Sequence, residues 1–135
     1  MKQYTINGRF FAKKLSGQER FAREMMAELD KICKPGEFEI VTPEYAKDIP
    51  EYKNIKVIKY GKVKSHFWEQ INLWWYLVKN KKTGVNLCTT CPLLKPDINT
   101  IHDISMTVNK QWYNNLYGRM SRIWHEFMKF TTFHF

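Results

Sequence analysis

The sequence predicts an α/β fold: a single Rossmann-like domain with a mainly parallel sheet flanked by helices. Short β-branched or apolar segments alternate along the chain with longer segments whose apolar residues recur at helical spacing. Strands that alternate with helices favour parallel pairing, because each helix carries the chain back along the sheet. At 135 residues the chain has room for one sizeable core and hardly for two.

The first predicted unit is a strand, a glycine-containing loop and a helix. Gln3–Ile6 is predicted as the strand, and Asn7-Gly8 is a strong turn signal. Ser16-Gly17-Gln18-Glu19 has the Ser-x-x-Glu form of a capping box and therefore predicts a helix start. Four apolar residues at helical spacing predict the buried face of this helix: Phe21, Met25, Leu29 and Ile32.

Four more strands and two more helices are predicted downstream. The strands are Phe38–Thr42, Ile55–Tyr60, Val85–Cys88 and Ile98–Ile101. The apolar residues that mark the second helix are Phe67, Ile71, Trp74, Trp75 and Val78. Those that mark the third are Trp112, Leu116, Met120, Ile123 and Phe127. We expect one domain over residues 1–126, followed by an aromatic tail at 127–135.

The chain is basic, with 22 Lys and Arg against 13 Asp and Glu and a net charge of +9. Such a surface attracts nucleic acid, anionic lipid or phosphorylated small molecules. The lysines are scattered and no nucleic-acid motif occurs, which makes nucleic acid the least favoured of these. No apolar run approaches the ~20 residues of a membrane span, and three cysteines without framework spacing fit a reducing compartment. We expect a cytoplasmic protein and leave open a peripheral contact with the inner face of the membrane.

The entrance to the first helix is one candidate site. Gly17 allows close approach of a ligand to the backbone, and the free N–H groups of a first helical turn favour a phosphate or another anion. Arg9 and Arg20 flank this place and can add charge-assisted hydrogen bonds. The alternative is that Gly17 only helps the chain turn and that both arginines are solvated. The glycines form neither a Walker loop nor a dinucleotide fingerprint, which disfavours kinases and dehydrogenases.

His102 and Asp103 are a second candidate site, because they end a predicted strand and open α/β sheets place ligands there. His102 can hydrogen-bond a sugar hydroxyl or an acceptor, and Asp103 can either orient the ring or hold a hydroxyl itself. The alternative is a capping aspartate beside a histidine with its hydrogen bonds satisfied.

Two further motifs have structural interpretations that are favoured over functional ones. Cys88 and Cys91 are spaced as a redox pair or half a metal site, but Pro92 follows where a redox helix would begin, so reduced thiols are favoured. Phe67-Trp68-Glu69-Gln70 is predicted to begin the second helix, with Phe67 in its buried stripe and Glu69 at its positive end. Capping and core packing explain these four residues.

Several segments resemble, in order, the N-terminal domain of group 1 (family 4) glycosyltransferases of the GT-B fold. They are Asn7-Gly8-Arg9-Phe10, Leu15-Ser16-Gly17-Gln18-Glu19-Arg20-Phe21-Ala22-Arg23-Glu24, Trp68-Glu69-Gln70, Asn86-Leu87-Cys88 and Thr100-Ile101-His102-Asp103. The resemblance covers about residues 4–125. It implies retaining transfer of a sugar from a nucleotide diphosphate sugar to a saccharide or lipid-linked acceptor, as in bacterial surface polysaccharide synthesis.

The resemblance also implies roles for individual residues. The pair matched to the region near the reacting sugar is His102 and Asp103. The glycine-containing loop that reaches the donor phosphates in this family is matched by Gly17 and Gln18. We also expect Arg9, Arg20 and Asn7 to take part in donor-phosphate or acceptor binding. The nucleotide sugar is then a substrate, and neither a cofactor nor a metal is implied.

In this family a second Rossmann-like domain supplies most donor contacts, including a Glu-x7-Glu motif and a basic pair. The match ends after about Glu126, so the resemblance implies that this C-terminal domain is absent and that the chain alone is an incomplete catalyst. A surface that normally meets the second domain would then be exposed, and we expect a homodimer. The alternative function is a non-catalytic basic module that binds anionic lipid, nucleic acid or a partner subunit.

Overall fold

The computed structural model describes residues 2–88, 90–100, 102, 119 and 123. Within them, the strands are β1 (Tyr4–Asn7), β2 (Phe38–Thr42), β3 (Lys56–Lys59), β4 (Thr83–Asn86) and β5 (Ile98–Asn99). The helical elements are a 3-10 helix (Gly8–Ala12), α1 (Gly17–Ile32), a π-helical turn (Glu69–Leu73) and α2 (Trp74–Lys79). The tail at 127–135 and all but two residues of the predicted third helix lie outside the described residues.

The described strands form one parallel sheet with the order β3-β2-β1-β4-β5. The predicted Rossmann-like α/β domain is confirmed, and the observed strand ends differ from the predicted ones by at most two residues. From β1 the chain proceeds to β3 on one side of the sheet, and then crosses to β4 and β5 on the other side. The order therefore reverses between the neighbours β1 and β4, which is where doubly wound sheets bind ligands.

The two helices cover opposite faces of the sheet. Ile40 of β2 packs in one core with Met26 of α1, whereas the adjacent Val41 packs in a second core with Leu73 and Leu77. Successive side chains of a strand point to opposite faces, so the two cores lie on opposite sides. A helix that joins parallel strands runs antiparallel to them, so α1 and α2 both begin near the carboxyl edge of the sheet.

The predicted buried face of α1 is wrong by about one residue. The side chains of Phe21, Met25 and Ile32 are exposed, and Leu29 alone of the predicted four packs against the core. The residues that are buried instead are Glu19, Ala22 and Met26. The helix does begin after Ser16, but the Ser16 hydroxyl hydrogen-bonds the Glu19 carboxylate and makes no side-chain cap to a backbone N–H.

The predicted buried face of the second helix is also wrong. Phe67, Ile71, Trp75 and Val78 are 42–67% exposed, while the buried residues are Trp68, Leu73, Tyr76 and Leu77. A π-helical turn explains the change of face, because the N–H of Trp74 donates to the carbonyl of Glu69, five residues earlier. The turn places Trp68 and Leu73 on one side of the helix, a spacing that a regular 3.6-residue repeat does not anticipate.

Candidate functional site

The carboxyl edge of the sheet carries two asparagines at the point where the strand order reverses. β1 ends at Asn7 and β4 ends at Asn86, and these two strands pair in parallel. Asn7 Nδ2 donates to Asn86 Oδ1 at 2.9 Å. The Asn86 amide in turn donates to the carbonyls of Pro96 and Ile98 at 3.1 Å, and so ties β4 to the segment that enters β5. Both asparagines are buried, so their hydrogen bonds fix the edge of the sheet.

Glu69 reaches the same place from the start of the second helix. Its Oε1 accepts hydrogen bonds from Asn7 Nδ2 at 3.0 Å and from Thr90 Oγ1 at 2.9 Å. The residue is only 1% exposed. Its second oxygen, Oε2, lies 3.9 Å from His66 Nδ1 and has no hydrogen-bond partner among the described residues. A buried oxygen of this kind marks a place for a water or a ligand hydroxyl.

Arg9 supplies the positive charge beside this carboxylate. Its Nη1 lies 3.7 Å from Glu69 Oε1 and 3.5 Å from Thr90 Oγ1, and the residue is 7% exposed. The same Nη1 lies 3.2 Å from His66 Nδ1. We refer to Asn7, Arg9, Glu69, Asn86 and Thr90 as the polar cluster.

The charge state of Glu69 is set by its partners. Burial by itself raises the pKa of the carboxyl, but the His66 ring, the Arg9 charge and the hydrogen bonds from the cluster outweigh it, and the pKa lies below its ordinary value. The carboxylate is therefore ionised near neutral pH. A cavity of about 10 Å³, lined in part by Arg9, Glu69 and Thr90, adjoins it and has room for one water-sized group.

Two of the predicted site residues, Asn7 and Arg9, belong to this cluster, and Arg9 is not the solvated arginine of the alternative interpretation. Asn7 also accepts from the backbone N–H of Arg9 at 3.2 Å and so caps the 3-10 helix. Arg20, by contrast, is exposed on α1.

The predicted anion site at the start of α1 already holds a carboxylate. Glu19 is buried there, and its Oε1 pairs with Lys13 Nζ at 2.8 Å. Burial raises the pKa of Glu19, but the Lys13 and Ser16 contacts outweigh it, and the pKa lies below its ordinary value. A Cβ added at Gly17 would meet no atom within 4 Å, so packing does not require glycine there.

His102 lies close to the entrance of α1. Its Nε2 donates to the carbonyl of Leu87, just beyond β4, and its ring contacts Phe21 of α1 edge-on at 4.9 Å. The thiol of Cys88 lies 3.8 Å from the carbonyl of Gln18 and joins the same two segments. The structure therefore brings together His102 and the Gln18 region, which the sequence analysis treats as two separate candidate sites. Asp103 lies outside the described residues.

The sequence analysis misses Glu69 as a functional candidate and misplaces its neighbours. Phe67, assigned to the buried stripe, is exposed, whereas Trp68 is fully buried and donates from Nε1 to the Tyr60 carbonyl at 2.7 Å. Gln70 binds the loop after β4, through the Cys91 carbonyl and the Leu93 N–H, both at 2.9 Å. The local signal that could have pointed to Glu69 is a carboxylate next to a tryptophan, but only the fold reveals which groups that carboxylate contacts.

The thiols do not behave as a reactive pair. Burial raises the pKa of Cys88 to about 11 and that of Cys91 to about 12, and neither cysteine forms a disulfide. Thiols of such high pKa are poor nucleophiles at neutral pH, in agreement with the favoured interpretation as reduced thiols. Among the described residues, no group of three or more His, Cys, Asp and Glu side chains is placed to hold a metal.

Comparisons with protein-family models, with curated proteins and with solved structures gave no significant match to the chain. None of the helices in the described ranges combines the length and the apolar character that crossing a bilayer requires.

Proposed function

We propose that this chain is the acceptor-side domain of a glycosyltransferase that moves a sugar from a nucleotide diphosphate sugar to a saccharide or lipid-linked acceptor. The observation that carries the proposal is the polar cluster at the reversal of strand order. Segments that resemble the family supply four of its members, Asn7, Arg9, Glu69 and Asn86, from positions up to 79 residues apart. If these segments form one binding site, they must converge at one edge of the sheet. Weak matches that are unrelated to one another would have no reason to converge.

The chemistry of the cluster suits a polyhydroxylated ligand. A sugar hydroxyl both donates and accepts hydrogen bonds, and the cluster offers an ionised carboxylate beside a guanidinium. Because Glu69 is almost completely buried and ionised, we assign it to positioning Arg9 and Asn7. His102 is exposed, with Nε2 fixed by Leu87, and Nδ1 is the ring nitrogen that can meet a ligand.

The donor phosphates are expected near the open surface at Gly17 and Gln18. Glu19 and Lys13 nearly cancel one another there, so this helix start gives modest stabilisation to a leaving diphosphate. We propose that most of that stabilisation comes from a second, nucleotide-binding domain. The 135 residues alone should therefore bind a nucleotide sugar weakly and show no turnover.

Amide chemical shifts of the ¹⁵N-labelled chain test this proposal. We expect nucleotide hexoses to shift the signals of Arg9, Gly17, Gln18 and His102, with millimolar affinity. Gly17→Ala should weaken this binding without unfolding the protein, because a methyl group there meets only open space. A matched control is Ile32→Ala, an uncharged and exposed position at the other end of α1, near the opposite edge of the sheet.

Three results would contradict the proposal. They are shifts confined to other surfaces, binding that is indifferent to Gly17→Ala, and robust sugar transfer by the chain alone. Self-association as a homodimer stays a separate prediction, and a clean monomer in sedimentation at high concentration would refute it.

A second function, a non-catalytic module on anionic lipid, is favoured by one specific observation. Phe67, Ile71, Trp75 and Val78 form an exposed apolar face on the second helix, which we call the aromatic face. Exposed lysines stand near both of its ends, at Lys64 and Lys79. Aromatic side chains next to lysines are typical of elements that lie in a bilayer interface.

Cosedimentation with vesicles distinguishes this function from sugar transfer. Binding to phosphatidylglycerol vesicles, but not to phosphatidylcholine vesicles, that is lost in Phe67→Ser/Trp75→Ser would support the lipid module. If the variant binds as wild type does, the aromatic face is not the lipid contact.

A further inference from the structure

A second cleft opens beside the polar cluster, at the same edge of the sheet. It lies between the loop that precedes α1, the second turn of α1 and the loop after β2. Its volume is about 540 Å³, within the usual range of ligand pockets. Lys13 lines both this cleft and the small cavity of the polar cluster, so the two adjoin the same residue.

The lining of the cleft is strongly cationic. The charged residues that line it are Lys13, Lys14, Arg23, Lys47 and Asp48, four cations against one carboxylate. Lys14 and Lys47 are exposed, and neither has an ion-pair partner among the described residues. We call this set the basic cleft. Glu19 neutralises Lys13, but the three remaining cations outnumber the Asp48 carboxylate and raise the local concentration of anions at this concave surface.

Arg23 is fixed in a way that leaves part of its guanidinium unused. Its Nη1 donates to the Asp48 carbonyl at 3.1 Å, and its Cζ lies 4.8 Å from the centre of the Phe11 ring. The Nε atom is buried and has no hydrogen-bond partner among the described residues. Asp48 has a φ of 54°, a left-handed conformation that is uncommon outside glycine, and this turn presents its carbonyl to Arg23. A guanidinium held in place by one hydrogen bond and a ring contact keeps further Nη donors, and these are suited to a phosphate oxygen.

We propose that the basic cleft binds the phosphate or diphosphate of a phosphorylated acceptor. This inference rests on the proposed function and names the chemical class of its acceptor. Arginine recognises phosphate by directed hydrogen bonds, and lysines add point charges around it. Because Lys13 connects the cleft to the polar cluster, an acceptor whose phosphate lies in the cleft presents its adjoining group to the cluster. The source of the phosphate is either a lipid diphosphate or a soluble sugar phosphate.

Amide chemical shifts again provide the test, with inorganic diphosphate, glucose 1-phosphate and farnesyl diphosphate as probes. We expect the signals of Lys14, Arg23, Lys47 and Asp48 to shift with all three. Tighter binding of farnesyl diphosphate than of inorganic diphosphate would assign the phosphate to a lipid-linked acceptor. Equal binding of these two would assign it to a soluble sugar phosphate.

A pair of double variants distinguishes a specific phosphate site from the general attraction of anions to a basic protein. Lys14→Gln/Lys47→Gln should weaken diphosphate binding about tenfold or more, since each lost charge-assisted contact costs on the order of a factor of ten. The matched control, Lys2→Gln/Lys34→Gln, removes the same charge at the opposite edge and should change binding less than about twofold. All four side chains are exposed, so neither variant threatens the fold.

Equal losses in the two variants, or no binding of any probe, would overturn the inference. These failures are distinguishable from failure of the proposed function. If nucleotide sugars shift Arg9 and Gly17 while phosphates do not shift the basic cleft, the acceptor class alone is wrong. If phosphates bind the cleft but nucleotide sugars bind nowhere on the chain, the glycosyltransferase proposal is wrong, and with it the role of the cleft as an acceptor site.

Discussion

Replacement of Glu69 by glutamine tests whether charge holds the polar cluster together. Glutamine keeps the shape of the side chain and an oxygen that accepts from Asn7 and Thr90, but it removes the negative charge 3.7 Å from Arg9 Nη1. Arg9 is 7% exposed, so its charge would remain buried without a counter-charge. Breaking a buried ion pair costs about 3–5 kcal/mol, and the hydrogen bonds retained here lower that cost. We expect the free energy of unfolding to fall by about 2–3 kcal/mol.

The pH dependence of this loss has a definite sign. The folded state lowers the pKa of Glu69, so the carboxylate contributes stability that is complete above the unfolded pKa of about 4.3. That contribution is lost as the pH falls through the folded pKa, where wild-type Glu69 also becomes neutral. The difference between wild type and Glu69→Gln should therefore be largest near pH 7 and shrink in acid.

Urea unfolding followed by tryptophan fluorescence at pH 7 and at acid pH measures both quantities. Glu28→Gln is the matched control, because Glu28 pairs with Lys31 at 2.7 Å on an exposed surface. Such a pair is worth at most about 1 kcal/mol, and we expect the control to change stability by less than about 0.5 kcal/mol at either pH. If Glu69→Gln unfolds like the control, or if its deficit persists unchanged in acid, the electrostatic account of the cluster is refuted.

Further predictions concern two glycines and two thiols. Gly8→Ala should destabilise the protein by more than about 2 kcal/mol, because the added Cβ would lie 2.7 Å from the Val41 carbonyl oxygen. Gly17→Ala should be neutral or stabilising by up to about 1 kcal/mol, because a Cβ there meets no atom within 4 Å. Chemical denaturation measures both changes. Cys88 should react with iodoacetamide at pH 8 roughly 100-fold more slowly than a free thiol, because its pKa rises from 9.0 to about 11. Cys91 should react more slowly still, and fast labelling of either thiol by mass spectrometry would contradict the burial of these side chains.

Much of the fold could be predicted because it depends on local signals. The run Phe38–Thr42 is β-branched and apolar, and it forms β2 with the predicted bounds. Pro35-Gly36 stops α1 close to where the pattern ends, and Gly36 has the positive φ, 83°, that such a turn requires. Alternation of strands and helices then makes a parallel sheet the natural arrangement.

The faces of the helices could not be predicted in the same way. Apolar residues occur on more than one side of the second helix, so a repeat of apolar positions does not identify the side that meets the sheet. The π-helical turn then adds a residue to one turn and rotates the rest of the helix, which places Trp68 and Leu73 in the core and leaves Phe67 outside. On α1, Ala22 packs against the sheet in the place predicted for Phe21, which instead contacts His102.

The sequence by itself determined the fold class and the basic composition, and it offered Arg9 beside the first helix and His102 at a strand end as candidates. Local chemistry suffices there, because turn residues and strand ends are encoded by their immediate neighbours. Only the tertiary structure decided that Glu69 joins Asn7 and Asn86, residues 62 and 79 positions apart from Asn7. It also decided that Arg23 and Lys47 face one cleft. The physical reason is that burial and hydrogen-bond partners are set by the packing of distant segments, and no local pattern in the chain records them.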